Sequence, residues 1–146
     1  MANETMLNFG YPASLIHEYE HWAVLLRPAQ VTLGSLVLVA KSEATAFGHL
    51  PPEAFAELAA VTRDIEGTLG NEVAYEKINY LMLMMVDPNV HFHVFPRYSG
   101  TRTIDDVTIR DAAWPGPPDL KSAPDLAPQT RRKLRSRFSE NWLICR

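Results

Sequence analysis

The run Asn89-Val90-His91-Phe92-His93-Val94-Phe95-Pro96-Arg97 places two of the chain's five histidines two positions apart among large apolar neighbours. On a strand, Asn89, His91, His93 and Phe95 share one face, and Val90, Phe92 and Val94 share the other. Imidazoles at i and i+2 stand roughly 6.6 Å apart, twice the strand rise, and can converge on one phosphate-sized group. A neutral imidazole has one donor and one acceptor nitrogen. Fixing one of them as N–H against an acceptor leaves the other free as a nucleophile. The main-chain carbonyl of Asn89 is a candidate acceptor for His91, and that role asks nothing of the side chain.

Taken alone, His-x-His also describes an ordinary pair of strand histidines, hydrogen-bonded or partly exposed. Metal binding ranks low. A zinc site needs at least three protein ligands, Cys145 is the sole cysteine, and His17, His21 and His49 would have to supply the rest. No metal ligand is therefore assigned.

Several elements must position this strand. The segment 15–27 and the apolar run 35–41 read as an antiparallel hairpin with a long connection through Pro28 and Gly34. A helix is expected from Pro51-Pro52-Glu53 to a cap at Gly70. Its stripe would be Phe55, Leu58, Thr62, Ile65 and Leu69. Residues 76–86 are apolar almost throughout and are read as a strand covered on both faces, with Met82, Met84 and Met85 as core filler. Residues 101–126 are read as a proline-rich arm over the surface, with Trp114 as its anchor. Residues 127–146 form a basic helix with Leu134, Phe138 and Trp142 at i, i+4 and i+8. One domain overall is expected, its body at 1–100.

The motif resembles the signature strand of the histidine-triad (HIT) superfamily, His-φ-His-φ-His-φ-φ with φ apolar, followed by Pro-Arg as in its dinucleoside polyphosphate hydrolase-like branches. "VLLRPAQVTLGSLVLVAK" resembles the family's first hairpin, "HLPPEAFAEL" the start of its long helix, and "INYLMLMMVDPNVHFHVFPRY" its triad-bearing strand pair. The resemblance spans about residues 14–99 and implies an α+β fold. That fold has an antiparallel sheet of about five strands with one long helix, joined here by the proline-rich arm and the C-terminal helix. It also implies a homodimer acting on a nucleotide or dinucleotide at the α-phosphate. By resemblance, His91 would attack phosphorus to form a nucleotidyl-histidine that water resolves, and His93 would donate to the phosphate oxygens. No cofactor is required, though a divalent cation could accompany the nucleotide phosphates.

The triad is degenerate. Asn89 stands where the first triad histidine is usual, and its side chain cannot carry a proton. Ser35 replaces a supporting histidine, and the short "VDP" replaces a longer loop that contacts leaving phosphates. Arg27 stands near the position of a ribose-binding carboxylate or amide, so it suits an anion or is a solvent-facing turn residue. Asn79 is a candidate pocket amide. Arg97 is a further candidate substrate contact whose simpler role is to position the strand end. Catalysis is therefore expected to be slow or shifted in substrate, and the alternative is a nucleotide-binding or regulatory protein without turnover. The bare nitrogen of His91 is expected to face an open cleft.

At 146 residues with 47% hydrophobic and 21% charged residues, the composition is that of a globular domain. A net charge of −3 argues against a dedicated nucleic-acid binder. The five cations within 131–137 are read first as a solvated helix face, with nucleic-acid contact, an acidic partner or attraction of phosphate at a neighbouring subunit's site as the functional alternatives. A single cysteine, no basic-then-apolar leader and no membrane-length apolar run suggest a cytoplasmic protein.

Overall fold

Alternation around the two histidines places them on the third of three adjacent inner strands. A computed structural model describes residues 1–145. Strands β1 (Leu15–Glu18), β2 (Trp22–Leu26), β3 (Leu36–Ala40), β4 (Lys77–Leu81) and β5 (His91–Arg97) form an antiparallel sheet in the order β1-β2-β3-β5-β4. Helix α1 (Glu4–Asn8) lies on one face and the 22-residue α2 (Pro52–Val73) on the other. A hairpin, β6 (Thr101–Ile104) and β7 (Val107–Arg110), and helix α3 (Pro128–Glu140) complete the α+β fold. No helix among the described residues is long and apolar enough to cross a membrane.

All five residues of β2 and all five of β3 are buried. Trp22, Val24 and Leu26 with Leu36 and Leu38 face α2, where Val61, Ile65, Leu69 and Val73 meet them. Ala23, Leu25, Val37 and Val39 face the other way, onto Met6 of α1. Covering both faces accounts for runs of unbroken apolarity in an antiparallel sheet. It also places α1 on the same face as the histidines.

Several expectations require correction. Residues 15–27 form two strands with a turn at 19–21, so the sheet begins as a meander. The buried stripe of α2 is Ala54, Val61, Ile65, Thr68, Leu69 and Val73, whereas Phe55 is exposed. The helix does not stop at Gly70. It ends at Ala74, which takes the left-handed cap at φ 54°. Its last turns are held from outside: Glu72 accepts from Arg137 and Asn141, and Thr68 accepts from the Leu143 N–H. Such tertiary contacts outweigh the roughly 1 kcal/mol that a mid-helix glycine costs.

Residues 76–86 are not a doubly covered strand. Strand β4 ends at Leu81 on the sheet edge, and Met85 is exposed. Residues 101–110, read as part of the arm, pair as the β6–β7 hairpin. Gly34 is required where it stands. At φ +93° a Cβ would lie 3.1 Å from both Leu69 and Val73, so the turn entering β3 can close on α2 only without a side chain.

Candidate functional site

Antiparallel pairing sets His91 opposite Val39 and His93 opposite Val37, in the middle of the sheet face under α1. Both imidazoles are buried, at 2% and 8% exposure. Their rings meet edge to face, with centroids 5.1 Å apart.

The hydrogen-bond partners decide where the protons sit. Nδ1 of His91 lies 2.8 Å from the Asn89 carbonyl oxygen, which can only accept. Nδ1 of His91 therefore carries the proton, and Nε2 keeps its lone pair. Nδ1 of His93 lies 3.2 Å from Nε of Arg27, which can only donate. Nδ1 of His93 is therefore the acceptor, and its proton sits on Nε2. The two rings hold opposite tautomers, one offering a lone pair and the other an N–H. Burial, with the nearby Arg27 charge and His91 adding to it, pushes His93 down to about 4, so its ring is neutral at pH 7.

Arg27 is held for this task. It rests over the Phe95 ring at 5.4 Å, and Phe95 in turn stacks on His93 with 7° between planes. Its Nη1 donates to the Ala29 carbonyl. The loop behind it is stiffened by Gln30, whose amide donates to the carbonyls of Arg27 and Ser35 and accepts from the Gly34 and Ser35 N–H groups. Ser35 is fully buried, its Oγ donating to the Thr32 carbonyl. Ser35 thus shapes the loop carrying Arg27 and does not reach the imidazoles.

The Asn89 side chain also turns away from them. Its Oδ1 accepts from the Thr5 N–H, its Nδ2 donates to the Glu43 carbonyl, and its own N–H donates to Thr5 Oγ1. The amide thus clamps α1 to the sheet. Asn3 strengthens the clamp by capping α1 at the Met6 N–H and donating to the carbonyls of Ala40 and Ser42.

Arg97 ends β5, and Asn79 stands beside it on β4, opposite Phe95. Arg97 is 3% exposed and donates to both oxygens of Asp111, to Asn79 Oδ1 and to the Gly116 carbonyl. This network ties the proline-rich arm to the sheet and leaves no Arg97 nitrogen aimed at the histidines.

A phenyl ring stands against the imidazole pair where an open cleft was expected. Phe9, just past the end of α1, lies 5.8 Å from each imidazole centroid and covers both. Among the described residues the one buried side-chain polar atom without a partner is Nε of Arg135. Nε2 of His91, which has no protein partner, therefore keeps a small solvent-exposed area beside Phe9. Sequence reasoning passed over residues 1–14. The signal there was an Asn-Glu cap preceding Met6 and Phe9, an apolar pair spaced by three. Among the described residues no group of three or more His, Cys, Asp or Glu side chains is gathered as a metal site.

No protein-family model matches the sequence, and no curated protein matches it. Solved structures do match the fold. A histidine triad protein from Sinorhizobium meliloti superposes with a TM-score of 0.73 at 23% identity, over 97% of this chain and 96% of its own. A histidine triad protein from Bradyrhizobium japonicum gives 0.74 at 18%, over 98% of each chain. A hypothetical histidine triad nucleotide-binding protein from Sulfolobus tokodaii gives 0.68 at 18%, over 94% of this chain and 88% of its own. The chain has the histidine-triad fold, and near-complete coverage in the first two extends the likeness through the arm and α3.

Proposed function

We propose that this histidine-triad fold carries a nucleotide phosphohydrolase or nucleotidyl transferase acting through a covalent nucleotidyl-histidine. The observation that carries the reading is the pair of opposite tautomers. Nε2 of His91 attacks the α-phosphorus. A P–N bond forms as the bond to the leaving oxygen breaks, and the leaving group departs with the electron pair. The Nε2–H of His93 donates to the phosphoryl oxygens as negative charge grows on them, a contribution typically worth about 10²- to 10³-fold in turnover. Water then attacks phosphorus, the P–N electrons return to Nε2, and the proton lost by water passes to solvent.

Asn89 supplies no proton, and no acid among the described residues hydrogen-bonds to either imidazole. The chemistry therefore favours leaving groups that are stable as anions, phosphates and polyphosphates, over alkoxides and amines. That selectivity fits dinucleoside polyphosphates and a slow rate on poorer leaving groups. Phe9 must swing aside to admit a phosphate. Its cover is also the observation that favours a second reading, a nucleotide-binding protein without turnover. No cofactor is assigned beyond a divalent cation accompanying the nucleotide.

The partner we propose is a second copy of the chain. Edge strand β4 has an unpaired outer side, and Leu83, Met85 and Val86 are exposed just beyond it. Sedimentation equilibrium checks this, a monomer at all concentrations counting against it.

The functional test is trapping of α-labelled nucleotide on acid-quenched protein. Wild type is expected to carry label that His91→Gln lacks, with turnover falling to background. Label retained by His91→Gln would overturn the assignment. Bound but never trapped nucleotide would establish the second reading.

A further inference from the structure

Phe9 has a second side. Away from the histidines it joins Leu26 and Pro28 in the wall of a separate cavity of about 250 Å³, whose other wall is α3 with Arg131, Arg132 and Arg135. No acidic residue lines it. Among the described residues the ion pairs of lysine and arginine go elsewhere: Lys41 to Glu18, Arg97 to Asp111, Arg102 to Glu76, and Arg137 to Glu72 and Asp105. None of the three cavity arginines forms one among the described residues. Arg131 donates to the Leu126 carbonyl, which anchors the side chain without neutralising it. Arg135 donates from Nη1 to the Leu15 carbonyl and from Nη2 to Ser136 Oγ, and its Nε is buried without a partner.

Three arginines on one wall, with no counter-charge among the lining residues, repel each other. That repulsion falls when an anion enters. Helix α3 adds to the attraction, since Pro128 begins the helix on this wall with no acidic residue in its first turn. The size is selective too. The volume is below the roughly 300–1,000 Å³ of pockets that enclose drug-sized ligands, so it encloses no more than a small anionic group or one end of a longer ligand. A neutral nucleobase would offset none of the charge.

We propose that this cavity is a second anion site, distinct from the imidazole pair, that takes a phosphoryl or pyrophosphoryl group on a small body. The basic run in α3, most simply a solvated face when read in sequence, thus has a wall of its own to serve. Because Phe9 borders both sites, the occupant is either a free phosphorylated compound or the far end of a phosphate chain whose near end reaches His91.

The test is an amide NMR titration of the full chain with inorganic pyrophosphate. Shifts are expected at Gly10, Ser14 and the Arg131–Arg135 segment. The double variant Arg131→Ala/Arg132→Ala should weaken binding roughly tenfold or more, as charge-assisted bonds are lost. His91→Gln should leave binding unchanged. Adenosine should not shift these amides. Pyrophosphate shifts confined to residues 89–95, an unaffected double variant whose spectrum shows it folded, or adenosine filling the cavity would each overturn the proposal. A dinucleoside tetraphosphate then separates the sources. Shifts in both segments at one common, tighter Kd identify the far end of a substrate, whereas pyrophosphate binding independently of the tetraphosphate identifies a separate compound.

Discussion

The two ends of β5 present polar side chains on one face, and they are finished differently. At the Arg97 end every guanidinium nitrogen is committed: the group is 3% exposed, forms a two-point bond with Asp111, and donates further from Nη1 to Asn79 and from Nη2 to Gly116. At the histidine end each ring commits only Nδ1, one to a carbonyl and one to a guanidinium, and keeps Nε2 uncommitted. Full satisfaction marks a structural lock. Half satisfaction leaves one lone pair and one N–H uncommitted, and the proposed function rests on that difference.

The largest expected effect lies at the lock. Arg97→Met leaves the Asp111 carboxylate buried and unpaired, a change that typically costs about 3–5 kcal/mol. Urea unfolding should show that loss, while the protein that stays folded keeps its nucleotide affinity. A comparable loss of affinity in the folded fraction would erase the distinction between the two ends.

Acid should act on the histidine end. His93 titrates near 4 when folded and near 6.5 when unfolded, so the unfolded chain binds the extra proton between those values. The stabilisation is complete above about pH 6.5 and is lost as pH falls towards 4, a change on the order of 3 kcal/mol. His17, lowered chiefly by burial, adds to the slope in the same direction. Thermal unfolding across this window should be flatter in His93→Gln than in wild type. Equal slopes would mean that His93 is not held neutral by its surroundings.

A smaller effect sharpens the boundary. Asn89→Ala keeps the carbonyl that orients His91 but strands the Thr5 N–H, for a loss of about 1–3 kcal/mol. Because the side chain faces α1, the pH dependence of the His91 reaction should not move. If it does, Asn89 acts on the chemistry directly.

How far each end could be read from sequence follows from contact range. The His91 orientation is local, reaching from the first residue of β5 to the Asn89 carbonyl two positions before it. The start of α2 and the C-terminal helix follow from periodicity and proline placement, whereas the five-strand sheet follows only from the family resemblance, since pattern alone reads residues 15–27 as one strand. Arg27 on His93 joins residues 66 apart and depends on a loop folded by Gln30, which no spacing rule contains. Asp111 answers Arg97 from within a proline-rich stretch whose composition hides it. Phe9 was missed because a five-residue helix has too little periodicity to register, although its clamp to Asn89 spans 84 residues.

The most direct measurement is long-range ¹⁵N–¹H NMR of the imidazole nitrogens at neutral pH. The account predicts that His91 is protonated at Nδ1 and unprotonated at Nε2, and that His93 has the reverse arrangement. Two rings sharing one tautomer, or a His93 carrying both protons at pH 7, would contradict it.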